Sequence, residues 1–236
     1  MAQKKLQRFA DIKAFSNVLE YPKDMQGRWN SFFNKERPLV VELACGRGEY
    51  ALGLAGLFPE QNFIGVDVKG NRMYIGAKKA LDQHLSNVAF LRTQIEMLPD
   101  YFSNAEIDEI WITFPDPQLR TSKAKKRLTH PRFLRLYQQV LKPAGVIHLK
   151  TDSPALFNFT RKVIEMYNLV LVDLSEDVYA NSGIEEKLAI KTHYESLDIA
   201  QSKKIFYLKF RLPEIIPFKD DQLQNFLKLT ETSSEA

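Results

Sequence analysis

From Leu39 onward, short apolar runs alternate with segments of helical periodicity, and few folds accept that pattern. Leu39 to Leu43 reads as a buried strand, Glu49 to Leu57 as a helix, and Asn62 to Asp67 as a second strand. A long helix is expected from Asn71, as its cap, to Leu85. Val88 to Leu91 and Ile107 to Phe114 follow as strands. A helix from Pro131 to Leu141 is closed by Lys142-Pro143-Ala144-Gly145. Val146 to Lys150 is a strand, Pro154 to Tyr167 a helix, and Leu169 to Leu174 and Lys204 to Arg211 the last strands. Short apolar strands separated by amphipathic helices form right-handed βαβ units around a mostly parallel sheet. The expected fold is therefore doubly wound α/β. Ligands in such sheets sit at the carboxyl ends of the strands, near the point where the winding reverses. The residues just after each strand are the ones to inspect.

The stretch before this domain, Leu6 to Glu20, has roughly helical spacing ended by Pro22, and the stretch after Pro213 reads as a short helix with a polar end. The expected division is a basic N-terminal arm with helices over 1–36, the α/β domain over 37–212, and a C-terminal helix and tail over 213–236. A hydrophobic fraction of 44% with 26% charged residues is enough for a packed core. The longest apolar run, around Leu39 to Cys45, is too short to span a bilayer. The first residues lack a signal peptide's apolar core. One cysteine permits no internal disulfide, so a cytoplasmic location is expected. The four histidines, His84, His130, His148 and His193, show no metal-ligand spacing, and no metal is expected.

Charge is unevenly distributed. Arg120, Lys123, Lys125, Lys126, Arg127 and Arg132 fall within residues 117–132 without an acid, and Lys4, Lys5, Arg8 and Lys13 face only Asp11 in residues 1–13. With a net charge of +4 overall, the remainder must be acidic. Basicity this localised suits a polyanionic partner, although a solvated loop and tail would look the same.

Three strand ends carry chemistry. After the first strand, Gly46 and Gly48 allow a tight turn and close approach of a ligand to the backbone. With Ala51 and Asp67 they also satisfy the Gly-x-Gly-x-x-Ala nucleotide fingerprint with its distant acid, which leaves a nicotinamide-dependent oxidoreductase open. Glu42 tilts the choice: a carboxylate there is awkward beside a pyrophosphate and suits the ammonium group of a methionine moiety. The fourth strand ends in Thr113-Phe114-Pro115-Asp116-Pro117, where flanking prolines fix an acid at the sheet edge. The fifth ends in Lys150-Thr151-Asp152. Thr192-His193-Tyr194-Glu195 precedes the last strand. Cys45 has no histidine near it in sequence and reads as a small buried residue.

Together these residues resemble the bacterial tRNA (guanine-N7)-methyltransferase family, from about Leu39 to Arg211. The most specific part is Ile110-Trp111-Ile112-Thr113-Phe114-Pro115-Asp116-Pro117 with the basic run to Arg127-Leu128-Thr129 and then Phe133-Leu134. The resemblance implies a Rossmann-like class I methyltransferase fold, a seven-stranded sheet whose last strand is antiparallel, S-adenosylmethionine as cofactor, and a tRNA variable-loop guanine as substrate. It implies that Glu42, Gly46, Gly48, Asp67, Gln94 and Asp116 bind the cofactor, Asp116 lying beside the transferring methyl. Arg120, Asp152, Thr192, Tyr194 and Glu195 match substrate positions, and Lys123, Lys125, Lys126 and Arg127 the RNA-contacting stretch. The protein is expected to be a monomer or homodimer. Four residues depart from the family pattern: Ala44 for glycine, Gln94 for Asp or Asn, Gln118 for tryptophan and Arg120 for lysine. An amino-group methyltransferase and an RNA-binding relic without cofactor are the other readings. The first is disfavoured by the missing second proline and aromatic after Asp116-Pro117. The second is separated by cofactor binding.

Overall fold

A computed structural model describes residues 2–180, 183–197, 199 and 201–234. In chain order the elements are α1 (Ala2–Asp11), β1 (Val18–Glu20), α2 (Trp29–Phe33), β2 (Leu39–Leu43), α3 (Glu49–Leu57), β3 (Asn62–Asp67), α4 (Gly70–Asp82), β4 (Val88–Arg92), α5 (Leu98–Tyr101), β5 (Ile107–Thr113), α6 (Pro131–Val140), β6 (Leu141–Thr151), α7 (Pro154–Met166), β7 (Val170–Ser175), α8 (Glu186–Ala189), β8 (Phe206–Arg211) and α9 (Asp220–Ser234). The strands form one sheet in the order β1-β4-β3-β2-β5-β6-β8-β7. Pairings from β1 to β6 are parallel, and β8 runs antiparallel between β6 and β7.

Both faces of the sheet are covered, so its inner strands are apolar throughout; all five residues of β2 are buried. Adjacent side chains enter opposite cores. Val40, Phe63, Phe90 and Trp111 pack with Tyr50 and Leu54 of α3 and Met73 and Ala77 of α4. Val41, Ile64, Leu91 and Ile110 pack with Phe133 and Tyr137 of α6, Phe157 and Phe159 of α7, and Leu223 of α9. The winding reverses at β2, whose neighbours are β3 on one side and β5 on the other. The crevice for a ligand therefore opens between the carboxyl ends of β2 and β5.

Three expectations are corrected. The Leu6 to Glu20 stretch is not one helix: α1 ends at Asp11, a short 3-10 turn follows, and Val18–Glu20 pairs with Phe90–Arg92 as an eighth, edge strand. Asn71 does not cap α4; Lys69 occupies that position without a side-chain cap, and Asn71 lies inside the first turn. Lys142 to Gly145 does not stand outside the sheet. Leu141 pairs with Ile107 and Val146 with Glu109, so the intervening residues are a bulge within β6.

Candidate cofactor and substrate site

The end of β2 is built around Glu42. Its carboxylate is buried, accepting a hydrogen bond from the Ala51 N–H (2.9 Å) in the first turn of α3 and from the Thr113 hydroxyl (2.6 Å) at the end of β5. Asp67, at the end of β3, accepts from the Gly46 N–H (2.8 Å) with one oxygen and from the Lys69 N–H (2.8 Å) with the other. The loop between them turns through positive φ at Ala44 (56°), Gly46 (55°) and Gly48 (69°). A Cβ on Gly48 would meet Phe90 at 2.3 Å, so only glycine fits there. A Cβ on Gly46 would lie 3.4 Å from the Tyr194 ring, filling the space between the loop and that ring. Thr93 donates its N–H to the Asp67 carbonyl (3.2 Å), which sets the exposed Gln94 beside the end of β3.

The left-handed backbone at Ala44 supplies a physical reason for glycine at this position. Ala44→Gly should remove a penalty of about 1–2 kcal/mol, offset by glycine's chain entropy of about 0.5–1 kcal/mol. A net gain of roughly 0.5–1 kcal/mol is expected in urea unfolding. An unchanged or lowered midpoint would show that the loop carries no such strain.

Across the crevice, Phe114 leaves β5 at φ 46° with its N–H on the Lys150 carbonyl (2.8 Å). Asp116 is exposed and accepts from the Gln118 N–H (3.0 Å), and Gln118 has φ 47°. Arg120 is exposed at the start of the 3-10 turn over Thr121–Lys126. Asp152 follows β6, between Thr151, whose hydroxyl accepts from the Ser153 N–H (3.1 Å), and Ser153, which caps α7. The 192–195 segment returns over the glycine loop. The His193 N–H donates to Glu49 (2.7 Å), the Thr192 hydroxyl accepts from the Glu195 N–H (3.2 Å), and Arg72 lies 5.5 Å from the centre of the Tyr194 ring.

Two residues of the sequence-based site are buried. Glu195 is paired inside the fold. One of its oxygens takes the Lys150 ammonium (2.9 Å), the other the Tyr179 hydroxyl, and its side chain is 6% exposed. Arg127 is not displayed with the other cations of the basic run. It is buried, with its guanidinium turned onto backbone carbonyls, while Lys123, Lys125 and Lys126 are exposed. The structure adds Thr113 as a partner of Glu42, and Lys150 and Tyr179 as partners of Glu195. Lys150 had a signal, since a lysine ending an apolar strand must be paired if buried. Behind the Asp116 loop, a cleft of about 790 Å³ between it, α7 and α9 is lined by Leu119, Thr121, Arg127, Phe159, Phe226 and Leu227 among others, and by no residue of the glycine loop.

Burial lifts the Glu42 carboxyl from its ordinary 4.5 to about 8, with the hydrogen bonds from Thr113 and Ala51 opposing and the charges of Glu49 and Asp67 adding to the rise. Between these values the unfolded chain has released this proton and the folded chain keeps it, so Glu42 makes stability fall as pH rises through that window. A cationic ligand facing Glu42 reverses the preference and binding expels the proton. Cofactor affinity should therefore rise from pH 6 to 7.5, where an α-ammonium of pKa about 7.7–8.0 is still charged. Calorimetry in buffers of different ionisation heat should show proton release that Glu42→Gln abolishes. Binding without proton exchange would contradict a protonated Glu42. The donor set fits such a ligand: a buried acid for an ammonium at β2, and an acid at β3 for ribose hydroxyls.

A doubly wound sheet with these acids and this glycine loop at its reversal defines a class I S-adenosylmethionine-dependent methyltransferase. The fold is shared with the 16S rRNA methyltransferase KamB (TM-score 0.60, 16% identity, 84% of this chain and 99% of that one). It is also shared with the 16S rRNA (adenine(1408)-N(1))-methyltransferase from Catenulisporales acidiphilia (TM-score 0.57, 15% identity, 79% and 93%). A family model described as "Putative methyltransferase" matches residues 36–208. The chain is 45% identical to the tRNA (guanine-N(7)-)-methyltransferase of Bacteroides thetaiotaomicron, covering 91% of this chain and 88% of that protein. It is 46% identical to that of Porphyromonas gingivalis, covering 86% and 87%. The chain belongs to the tRNA (guanine-N(7)-)-methyltransferase family.

Proposed function

We propose that the protein transfers the methyl group of S-adenosylmethionine to N7 of a guanine in the variable loop of tRNA, with Asp116 as the acid at the transferring methyl. The observation that supports this site is the register of β2 and β5. Glu42 pairs opposite Trp111 and is hydrogen-bonded to Thr113. The ammonium-binding acid and Pro115-Asp116-Pro117 therefore leave neighbouring strand ends.

Guanine N7 carries an in-plane lone pair and no proton, so the reaction needs no strong general base. Bound S-adenosylmethionine supplies a methyl carbon made electrophilic by its sulfonium. The protein's work is alignment, which can contribute about 7–11 kcal/mol in favourable cases. N7 becomes positive as its new bond forms, and the Asp116 carboxylate stabilises that charge. Asp152 accepts from the guanine N1–H and N2 amine, which selects guanine over adenine. Arg120, Thr192 and Tyr194 hold the nucleotide. In A-form RNA the groove that shows N7 is too deep and narrow for side chains, so the base is taken from a loop or turned out of its stack.

Lys123, Lys125 and Lys126 hold phosphates beside the target. Replacing all three with alanine should flatten the dependence of log affinity on log salt by roughly 2–3. An unchanged slope would remove the segment from the RNA interface. Among the described residues, no helix is long and apolar enough to cross a membrane.

The function is tested by methyl transfer from labelled S-adenosylmethionine to unmodified bulk tRNA, followed by nucleoside analysis. Label is expected in 7-methylguanosine. Label in another nucleoside, or none despite cofactor binding, would overturn the reading.

A further inference from the structure

Arg127 stands within a run of cations yet is only 5% exposed. Its Nε donates to the carbonyls of Pro117 and Gln118 (3.2 Å each), and its Nη2 to those of Gln118 (3.0 Å) and Leu119 (3.2 Å). These are the three residues directly after Asp116. The guanidinium lies 4.4 Å from the centre of the Phe159 ring, in the middle of α7. Two residues further on, the Thr129 and Thr160 hydroxyls are 2.7 Å apart, both fully buried, and Thr160 donates to the Leu156 carbonyl (2.8 Å). The 127–129 segment is thus fixed to α7 by two side-chain contacts. At the other end of the same helix Ser153 accepts from the Leu156 N–H (3.3 Å), directly after Asp152.

One rigid helix therefore carries the acid after β6 at its start and the support of the loop after β5 at its middle. That loop needs support. Gln118 is held at φ 47°, a conformation that persists in a non-glycine residue only when its surroundings over-determine it. A planar guanidinium can span successive carbonyls, and a lysine ammonium of shorter reach cannot reproduce that fork.

We propose that Arg127 is a positioning residue: by clamping the carbonyls of Pro117, Gln118 and Leu119 against α7, it sets Asp116 in register with Asp152, and it makes no phosphate contact with RNA. The inference rests on the reading of Asp116 as the acid at the transferring methyl. A displacement of that acid by about 1 Å is enough for a rate loss on the order of 10²-fold.

The test compares Arg127→Lys and Arg127→Met with Lys125→Ala and Asp116→Ala. Cofactor affinity, tRNA affinity against salt, and kcat and KM for tRNA are measured on each. Positioning predicts that both Arg127 variants bind cofactor as the parent does and lose kcat by about 10²-fold. Their KM and salt slope for tRNA stay unchanged, whereas Lys125→Ala flattens the slope. A phosphate contact predicts the reverse: Arg127→Lys nearly active, and Arg127→Met weakened in tRNA affinity with a flatter slope. That result would overturn the proposal, as would loss of cofactor binding in both variants, which would make Arg127 a support of the fold at large. Wild-type turnover in Asp116→Ala would instead sink the site reading itself, whatever the Arg127 variants do.

Discussion

Asp116→Ala should lower methyl transfer to tRNA by about 10²–10³-fold, the range seen when one preorganised electrostatic partner of a developing charge is removed. Asp116→Asn separates two roles of the side chain. The amide oxygen can still accept from the Gln118 N–H, which Asp116 does at 3.0 Å, so the turn is kept while the negative charge is lost. If charge on N7 is what Asp116 stabilises, the asparagine variant should be nearly as slow as the alanine variant. If Asp116 only shapes its loop, the asparagine variant should recover most of the rate. Single-turnover incorporation of label into 7-methylguanosine reads both, and wild-type rates in both would exclude Asp116 from the chemistry.

The second large effect is on stability. Lys150 is fully buried at the end of β6, donating to Glu195 (2.9 Å) and to the carbonyls of Leu188 and Ile190 (2.9 Å each). Burial pushes its pKa down, and Glu195 opposes the fall. Removing one partner of a buried pair leaves an uncompensated charge, at a cost of about 3–5 kcal/mol. Glu195→Ala should sit near the lower end, roughly 3 kcal/mol, because two carbonyls still hold the ammonium. For a chain of this size that corresponds to a fall in Tm of about 6–12 °C. Lys150→Met combined with Glu195→Leu should restore only part of the loss: an apolar pair avoids the desolvation cost, but the Leu188 and Ile190 carbonyls lose their donor. A Glu195→Ala variant melting within about 2 °C of the parent would show that the pair contributes little. Because Thr192 and Tyr194 sit in the same segment, Glu195→Ala should also loosen the cover over Gly46.

Much of the architecture can be read from residue order, because strands buried on two faces leave apolar runs that few other structures need. β2, α3 and β3 fall where the apolar runs and helical spacing place them. β1 does not, because three residues of an edge strand carry too little periodicity to stand out from a helical stretch. The bulge in β6 is hidden by Pro143 and Gly145, which read locally as a turn, whereas pairing with Ile107 is a long-range fact. In the candidate site, the places of Glu42, Asp67 and Asp116 at or just after strand ends are legible because the strands themselves are. The burial of Arg127 and Glu195 is not legible, for one shared reason. A charge in a polar segment is read as facing solvent, and whether it turns inward depends on carbonyls and ammonium groups supplied by distant parts of the chain.

The place of β8 in the sheet also orders events at the ribosome. The glycine loop, Glu42, Asp67 and the Asp116 loop belong to strands whose neighbours are all made by the time β6 emerges. The free edge of β6, by contrast, waits for residues 206–211 to arrive from the far side of β7. During that interval the nascent chain exposes an unpaired apolar strand, Val146 to Thr151, the kind of edge on which other chains can pair. Any delay in the pairing of β8 with β6 should therefore be costly for this protein.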